Sequence, residues 1–473
     1  MHAVLQLTLL LLFYLLGGSG RSVSGTPSKS SPSDAESSLC GEQERRETGY
    51  FNGIYYVLYE TTAPTREDAP VILWLSGGPG CSGLVAALFE LGPCMFDDER
   101  DTIAANPYSW TRIAHVVFVD QPRGTGFSAS SNDTPSWTEA QAMTDLVRFV
   151  DEFFGAHPSL ATQDFYIFGE SFGGHYAPDL GARLLQSNPI AWQQRLKGVG
   201  IGNGVVSPIA YVQTYKSFAK SNAYANDYLS DISDQLDSVQ QAALDAAQSC
   251  SRQEKDTTRL VNGAHRQLRA GEAGGTTAVC HQAAKLMQRF TSMVVGAVIS
   301  SGRNMYDLRR PCHDDRLSLC YRLSRLETLV NQPETLKYFG VEDKLWQLCS
   351  MEILCAVRDI DYVEESEVNV AYLLDHGVRV LVYAGDADTM APWEMHVQWT
   401  HDMTWLKRDM FRATSTQSLT MENRPVGTLA TAGGLSLVRV FDAGHMVPHD
   451  QPHVALEMLR NFVNSDHHLS VFT

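Results

Sequence analysis

Residues 169–173, Gly-Glu-Ser-Phe-Gly, have the G-x-S-x-G spacing of a tight turn that pushes a serine hydroxyl out of a sheet. An apolar run precedes them and a helical pattern follows. Ser171 is therefore the candidate nucleophile. A hydroxyl attacks at useful rates only when a base takes its proton and an acid orients that base. Downstream, GDADTM offers Asp386 and Asp388, and FDAGHMVP offers His445. Spacing alone leaves the two aspartates in competition. The glycine-rich stretch WLSGGPGCSG, residues 74–83, lets backbone N–H groups approach a reacting carbonyl; Gly78 is a reasonable partner for the N–H of Phe172 in an oxyanion hole. One feature looks wrong: Glu170, an acid, stands directly before the serine.

These groups need a scaffold that brings them to one edge. Short apolar runs at residues 71–76, 114–120, 164–171, 196–204, 379–386 and 435–445 are continuous rather than alternating, as in strands buried on both faces. Helical patterns lie between them. One opens at Ser136 as a capping box with Glu139 and continues to Phe154; another covers residues 175–186. The expected fold is α/β, a mostly parallel sheet with helices on both faces. Ser171, the aspartates and His445 all fall just past strand C-termini, where ligands gather in such sheets. Residues 206–330 break the rhythm with Gln-, Ala- and Asp-rich helical sequence and read as a largely helical cap insertion.

The chain has 473 residues, with 37 basic against 54 acidic ones, a formal net charge of −17. That excess argues against nucleic acid or an anionic membrane as partner and suits an acidic compartment. The apolar run over residues 3–16, followed by small residues, reads as a signal peptide over 1–20 rather than a membrane span. Residues 21–45 read as a flexible leader or propeptide remnant, and 46–473 as the catalytic domain with its insertion. Asn132, in Asn-Asp-Thr, is a glycosylation sequon. Nine cysteines in a secreted chain imply disulfides with one thiol left over. Histidines 445, 449 and 453 step by four, but Pro448 and Pro452 break any helix that would aim them at one ion, so no metal is expected, nor a cofactor. His449 and His453 read as ordinary loop or helix-start residues, and KGVGIGNG, residues 197–204, as a strand end with a turn.

Taken in order, GESFGGHYAP, VILWLSGGPGCSG, LFELGP, NPYSW, VDQPRGTGFS, GIGNG, GRNMYDLR, GDAD and GHMVPHDQP resemble the serine carboxypeptidases across nearly all of residues 48–462. The resemblance implies an α/β-hydrolase fold and a triad of Ser171, Asp388 and His445, with Gly78 and Phe172 as the oxyanion hole. It implies disulfides Cys81–Cys349, Cys312–Cys320 and Cys250–Cys280, leaving Cys40, Cys94 and Cys355 unassigned. It also gives Glu170 a purpose. In this family the acid before the serine shares a proton with a second glutamate, here Glu90, because two close carboxyls resist ionising together. So protonated, the pair can hydrogen-bond the free C-terminal carboxylate of a peptide. Ser76 and Gly77 complete that pocket, and Met446 lies toward the leaving residue. Where the family usually has Asn before the glycine pair, this chain has Ser76, whose shorter side chain puts the strictness of carboxylate recognition in question.

The implied function is a serine exopeptidase that removes C-terminal residues at acidic pH through an acyl-enzyme. Its partners would be peptides or proteins with a free C-terminus, met in a lysosome- or vacuole-like compartment or after secretion. Competing readings are an acyltransferase or esterase on the same scaffold and a noncatalytic protective or binding protein.

Overall fold

The computed structural model describes residues 38–41, 44–128, 138–222, 224, 232–261, 278–312, 319–361 and 363–465. The signal segment, most of the leader, Asn132 and Ser136 lie outside them.

Twelve strands form among the described residues: β1 (Arg46–Phe51), β2 (Ile54–Tyr59), β3 (Val71–Leu75), β4 (Cys94–Asp97), β5 (Thr102–Ala105), β6 (His115–Val119), β7 (Phe165–Glu170), β8 (Leu196–Gly202), β9 (Arg379–Gly385), β10 (Gln417–Met421), β11 (Arg424–Ala432) and β12 (Leu435–Val440). Ten of them build one sheet in the order β1-β2-β6-β3-β7-β8-β9-β12-β11-β10, and β4 and β5 pair separately. From β6 to β12 the neighbours run parallel. The pairs at either edge are antiparallel. All six apolar runs picked out in the sequence are central strands. The edge strand β1 went unseen because its half-exposed sequence, Arg-Glu-Thr-Gly-Tyr-Phe, carries no continuous apolar signal; β2, Ile-Tyr-Tyr-Val-Leu-Tyr, is apolar and buried throughout and was missed despite that signal.

Continuous hydrophobicity conceals a period of two. In β3, Val71, Leu73 and Leu75 join one core with Ile167, Val199 and Val382, while Ile72 and Trp74 join the other with Tyr166, Phe168 and Tyr383. Alternate side chains face opposite sides of the sheet, and both sides are covered. Helices Glu139–Ala156 and Gly173–Ser187 pack on the first face, Gly83–Phe89 and Pro452–Asn464 on the second.

Helix Glu139–Ala156 departs from its expected start. Thr138 caps it, its Oγ1 accepting from Gln141 N at 3.2 Å. Glu139 is drawn into tertiary contacts instead: its N–H donates to Asp361 Oδ2 at 2.7 Å, and its carboxylate lies 3.1 Å from His175 Nδ1.

The described residues between β8 and β9 form the excursion from the sheet. Its helices Pro208–Ser221, Ser233–Val261, Ala278–Ser300 and Leu323–Val330 occupy the expected 206–330 span, and three more, Pro333–Tyr338, Met351–Ile360 and Glu367–Asp375, carry it past residue 330. Leu236, Val239, Ala243 and Ala247, spaced at three and four, face Ala283, Met287, Phe290, Val294 and Val298 as an antiparallel helix pair. Cys250–Cys280 staples that pair. Further disulfides join Cys40–Cys94, Cys81–Cys349 and Cys312–Cys320, and Cys355 is a free, exposed thiol. None of the described helices is long and apolar enough to cross a membrane.

Closing a loop of about 30 residues by a disulfide contributes about 3–4 kcal/mol in the chain-entropy picture. Replacing Cys250 and Cys280 together by serine should therefore loosen the Ser233–Val261 and Ala278–Ser300 pair before the sheet. Amide hydrogen exchange should show faster exchange in these two helices and unchanged protection in β7 to β9.

Candidate active site

Ser171 lies between the end of β7 and the helix Gly173–Ser187, with φ at +59°. A non-glycine residue held in left-handed backbone costs free energy, and here three backbone bonds hold it. Ser171 N donates to Gly202 O at 3.1 Å, and Ser171 O accepts from Gly174 N at 2.9 Å and Val205 N at 2.8 Å. The turn is too tight for side chains around it. A Cβ on Gly169 would lie 2.1 Å from Gly173 O, and one on Gly77 would lie 2.6 Å from Ser171 Cβ and from Phe172 N. Gly77 thus runs directly against the serine turn, with Gly78 beside it at φ +111°. Phe172 is the N-cap residue of the helix, so its N–H has no carbonyl to meet within it.

Asp388 and His445 follow β9 and β12, neighbours in the sheet. Asp388 Oδ2 is 2.7 Å from His445 Nδ1, with both side chains buried. Asp388 also accepts from Met390 N at 2.8 Å, Ala391 N at 3.1 Å and Asn203 Nδ2 at 2.8 Å. Asp386, its competitor in the sequence, turns away and pairs with Arg439 at 3.3 Å. His445 is held by its own N–H, which donates to Tyr306 O at 2.7 Å, and the Tyr306 ring lies 5.1 Å from the imidazole. Its Nε2 is buried and accepts or donates no hydrogen bond among the described residues, which leaves that nitrogen for a serine proton.

Glu90 caps the C-terminus of helix Gly83–Phe89, on the other face of the sheet from Phe172. It meets Glu170 in a side-chain hydrogen bond with both residues buried. Burial pushes the Glu90 carboxyl up to about 7, with the bond to Glu170 and the charge of His445 pulling the other way. Glu170 is likewise held well above the usual carboxylate range, first by burial and then by the charge of Glu90. At mildly acidic pH the pair thus carries protons that two exposed glutamates would have lost.

Beside it, Ser76 is buried, its Oγ accepting from Trp74 Nε1 at 3.2 Å, which leaves the hydroxyl proton free to donate. Met446 is buried just past His445. The segment that follows is less ordinary than its sequence: Val447–Asp450 form one helical turn that takes Pro448 into its start, contrary to the expectation that Pro448 would break any helix there. His449 stacks on Phe89 at 4.0 Å and donates from Nδ1 to Phe89 O at 3.0 Å, tying the histidine loop to the helix that presents Glu90. Burial drives its pKa down to about 4, so it stays neutral in that stack. His453 opens the helix Pro452–Asn464, as expected, against Tyr108.

Two contributors were missed in the sequence. Asn203 lay in the turn after a strand, and nothing local marks it as a partner of a residue 185 positions away. Tyr306 stood within the GRNMYDLR motif of the insertion, but nothing local there points to a contact with His445.

A sequence profile of the serine carboxypeptidases matches residues 42–465. A serine carboxypeptidase-like protein of Oryza sativa subsp. japonica is 32% identical over 416 residues, covering 87% of this chain and 90% of that one. Carboxypeptidase Y homolog A of Talaromyces stipitatus is 31% identical over 423 residues, covering 87% and 70%. Among solved structures, KEX1(DELTA)P, a prohormone-processing carboxypeptidase from Saccharomyces cerevisiae, superposes with a TM-score of 0.68 at 20% identity, covering 93% of each chain.

The buried acids make stability depend on pH. Burial raises Glu90, Asp361 and Glu394 to about 7, and Asp120 and Asp450 to about 6. Folded-state pKa values above the unfolded ones, near 4, mean that the native state binds more protons between about pH 4 and 7, so stability falls as pH rises through that window. Buried His396 and His449, lowered to about 4, oppose this below about pH 6.5 only. The thermal midpoint should drop from pH 6 to pH 8, a trend that scanning calorimetry in matched ionic strength would detect.

Proposed function

The chain belongs to the serine carboxypeptidase family and is a hydrolase of peptides; from that premise we propose that it removes single C-terminal residues at acidic pH, with Ser171, Asp388 and His445 as its triad. Ser171 Oγ attacks the carbonyl of the last peptide bond while His445 Nε2 takes its proton. The N–H groups of Gly78 and Phe172 receive the oxyanion, and Asp388 steadies the imidazolium. His445 then protonates the departing amino group, and water, deprotonated by the same nitrogen, releases the acyl-enzyme.

The observation that carries the C-terminal preference is the buried Glu90–Glu170 pair beside the nucleophile turn. Below about pH 7 the pair is neutral with two protons, one shared between the carboxyls and one available to a substrate carboxylate. Above that it becomes an anion facing an anion. Ser76 O–H and the Gly77 N–H are the other donors in this reading. Phe172 bounds the pocket before the scissile bond, and Met446 that of the leaving residue. Residues 1–20 act as signal peptide, 21–45 as leader, and Asn132 carries glycan. The acid-protonated pair and the four disulfides support delivery through the secretory pathway to a lysosome- or vacuole-like compartment, or secretion.

Hydrolysis of an N-blocked dipeptide should be compared with its C-terminal amide from pH 4 to 8. The free acid should be favoured at low pH, with that preference fading through about pH 7. Equal cleavage at every pH would sink the carboxylate reading and turn attention to ester and acyl-transfer substrates. Glu170→Ala, which leaves no donor at that position, should raise KM for the free acid at pH 5 by roughly 10–100-fold, the equivalent of one hydrogen bond to a charged group at about 1.5–3 kcal/mol. The amide should be little affected.

A further inference from the structure

The geometry points to Asn203 as a positioning residue that locks the acid of the triad to the nucleophile turn; this rests on the triad reading above. Asn203 is the first residue past β8, fully buried, with φ at +39°. Its backbone N–H and both ends of its side-chain amide are committed in a way that sets its orientation. Its backbone N–H donates to Tyr383 O at 2.8 Å. Its side-chain Oδ1 accepts from Gly385 N at 3.1 Å, so the amide cannot be reversed without opposing two donors. The remaining Nδ2 therefore faces Asp388 Oδ2, at 2.8 Å.

That oxygen is the one that also meets His445 Nδ1. Asn203 is the sole side chain besides His445 that donates to Asp388 among the described residues; the other donors, Met390 N and Ala391 N, belong to the aspartate's own loop. Its neighbours hold the other end of the triad. Gly202 O accepts from Ser171 N, and Val205 N donates to Ser171 O. One four-residue turn thus grips the nucleophile through backbone and the acid through one amide. A buried carboxylate that loses a donor is free to rotate toward whatever donor remains, and the histidine it orients moves with it.

Asn203→Asp tests this with almost no change of shape. It retains the acceptor for Gly385 N and replaces the donor facing Asp388 by a second carboxyl oxygen. A proton shared between the two carboxyls can substitute for the amide N–H at low pH, and the substitute is lost as pH rises. The readout should be the rate of inactivation by a fluorophosphonate, which engages the triad and the oxyanion hole without using the carboxylate pocket. Wild type should label faster as pH rises from 5 to 8. The Asn203→Asp variant should approach wild-type rates near pH 5 and then fall away, to at least about tenfold below wild type at pH 8. Asn203→Gly, which accepts the same backbone conformation and offers no donor, should label more slowly than wild type by about tenfold or more at every pH. A profile for Asn203→Asp parallel to wild type, or wild-type labelling by Asn203→Gly with the same melting temperature, would overturn the inference. Failure of wild type itself to label would instead remove the triad reading beneath it.

Discussion

The parallel ladder that joins β7, β8, β9 and β12 ends all four strands on one side, and the chemistry hangs from the four loops that leave it. Register is what this ladder supplies. Gly169 pairs with Ile201 and Glu170 with Gly202, while Gly202 pairs with Tyr383 and Val440 with Gly385. A slip of one residue in any pairing would turn each side chain to the other face of the sheet. Both faces are filled cores, so such a slip would bury nothing correctly. Precision at the serine, the aspartate and the histidine is in this sense inherited from apolar packing well below them.

Within that frame, charge is managed by exclusion of water. Asp388 is fully buried yet surrounded by donors, which suits a carboxylate. Glu90 and Glu170 are buried with few donors and with each other, which suits a carboxyl that keeps its proton. The same kind of side chain thus meets opposite surroundings within one site, set by what its neighbours can donate. The stack of His449 on Phe89 links the two halves mechanically, since the helix carrying Phe89 ends at Glu90 and the helical turn carrying His449, Val447–Asp450, starts just past His445.

Legibility in the sequence followed range. The six central strands, the serine turn and the position of the insertion were readable because each announces itself within a short local stretch. The acid before the serine was readable as an anomaly and became interpretable only through resemblance to serine carboxypeptidases. Asp386 and Asp388 could not be separated locally, because the difference between them is Arg439 on one side and His445 on the other, both brought in by β12 and its following loop. Asn203 was hidden for the same reason: its importance lies in contacts that exist only when β8 and β9 are paired. The capping box at Ser136 and Glu139 failed as a local signal because Glu139 has buried partners, Asp361 and His175, far along the chain.

The contact of Tyr306 with His445 has a consequence for how far this architecture can be taken apart. Residues 304–310 run between the aspartate and histidine loops: Leu308 N donates to Ala387 O, Thr389 N to Met305 O and His445 N to Tyr306 O. Arg309 and Arg310 reach Asp450, whose Oδ2 accepts from Gly444 N at 2.6 Å. A lid that merely covered a finished site could be exchanged for another, as a module. Here the excursion supplies interior masonry to the catalytic loops, so transplanting a foreign cap onto this sheet, or trimming this one to a minimal hydrolase, would leave the histidine without its footing.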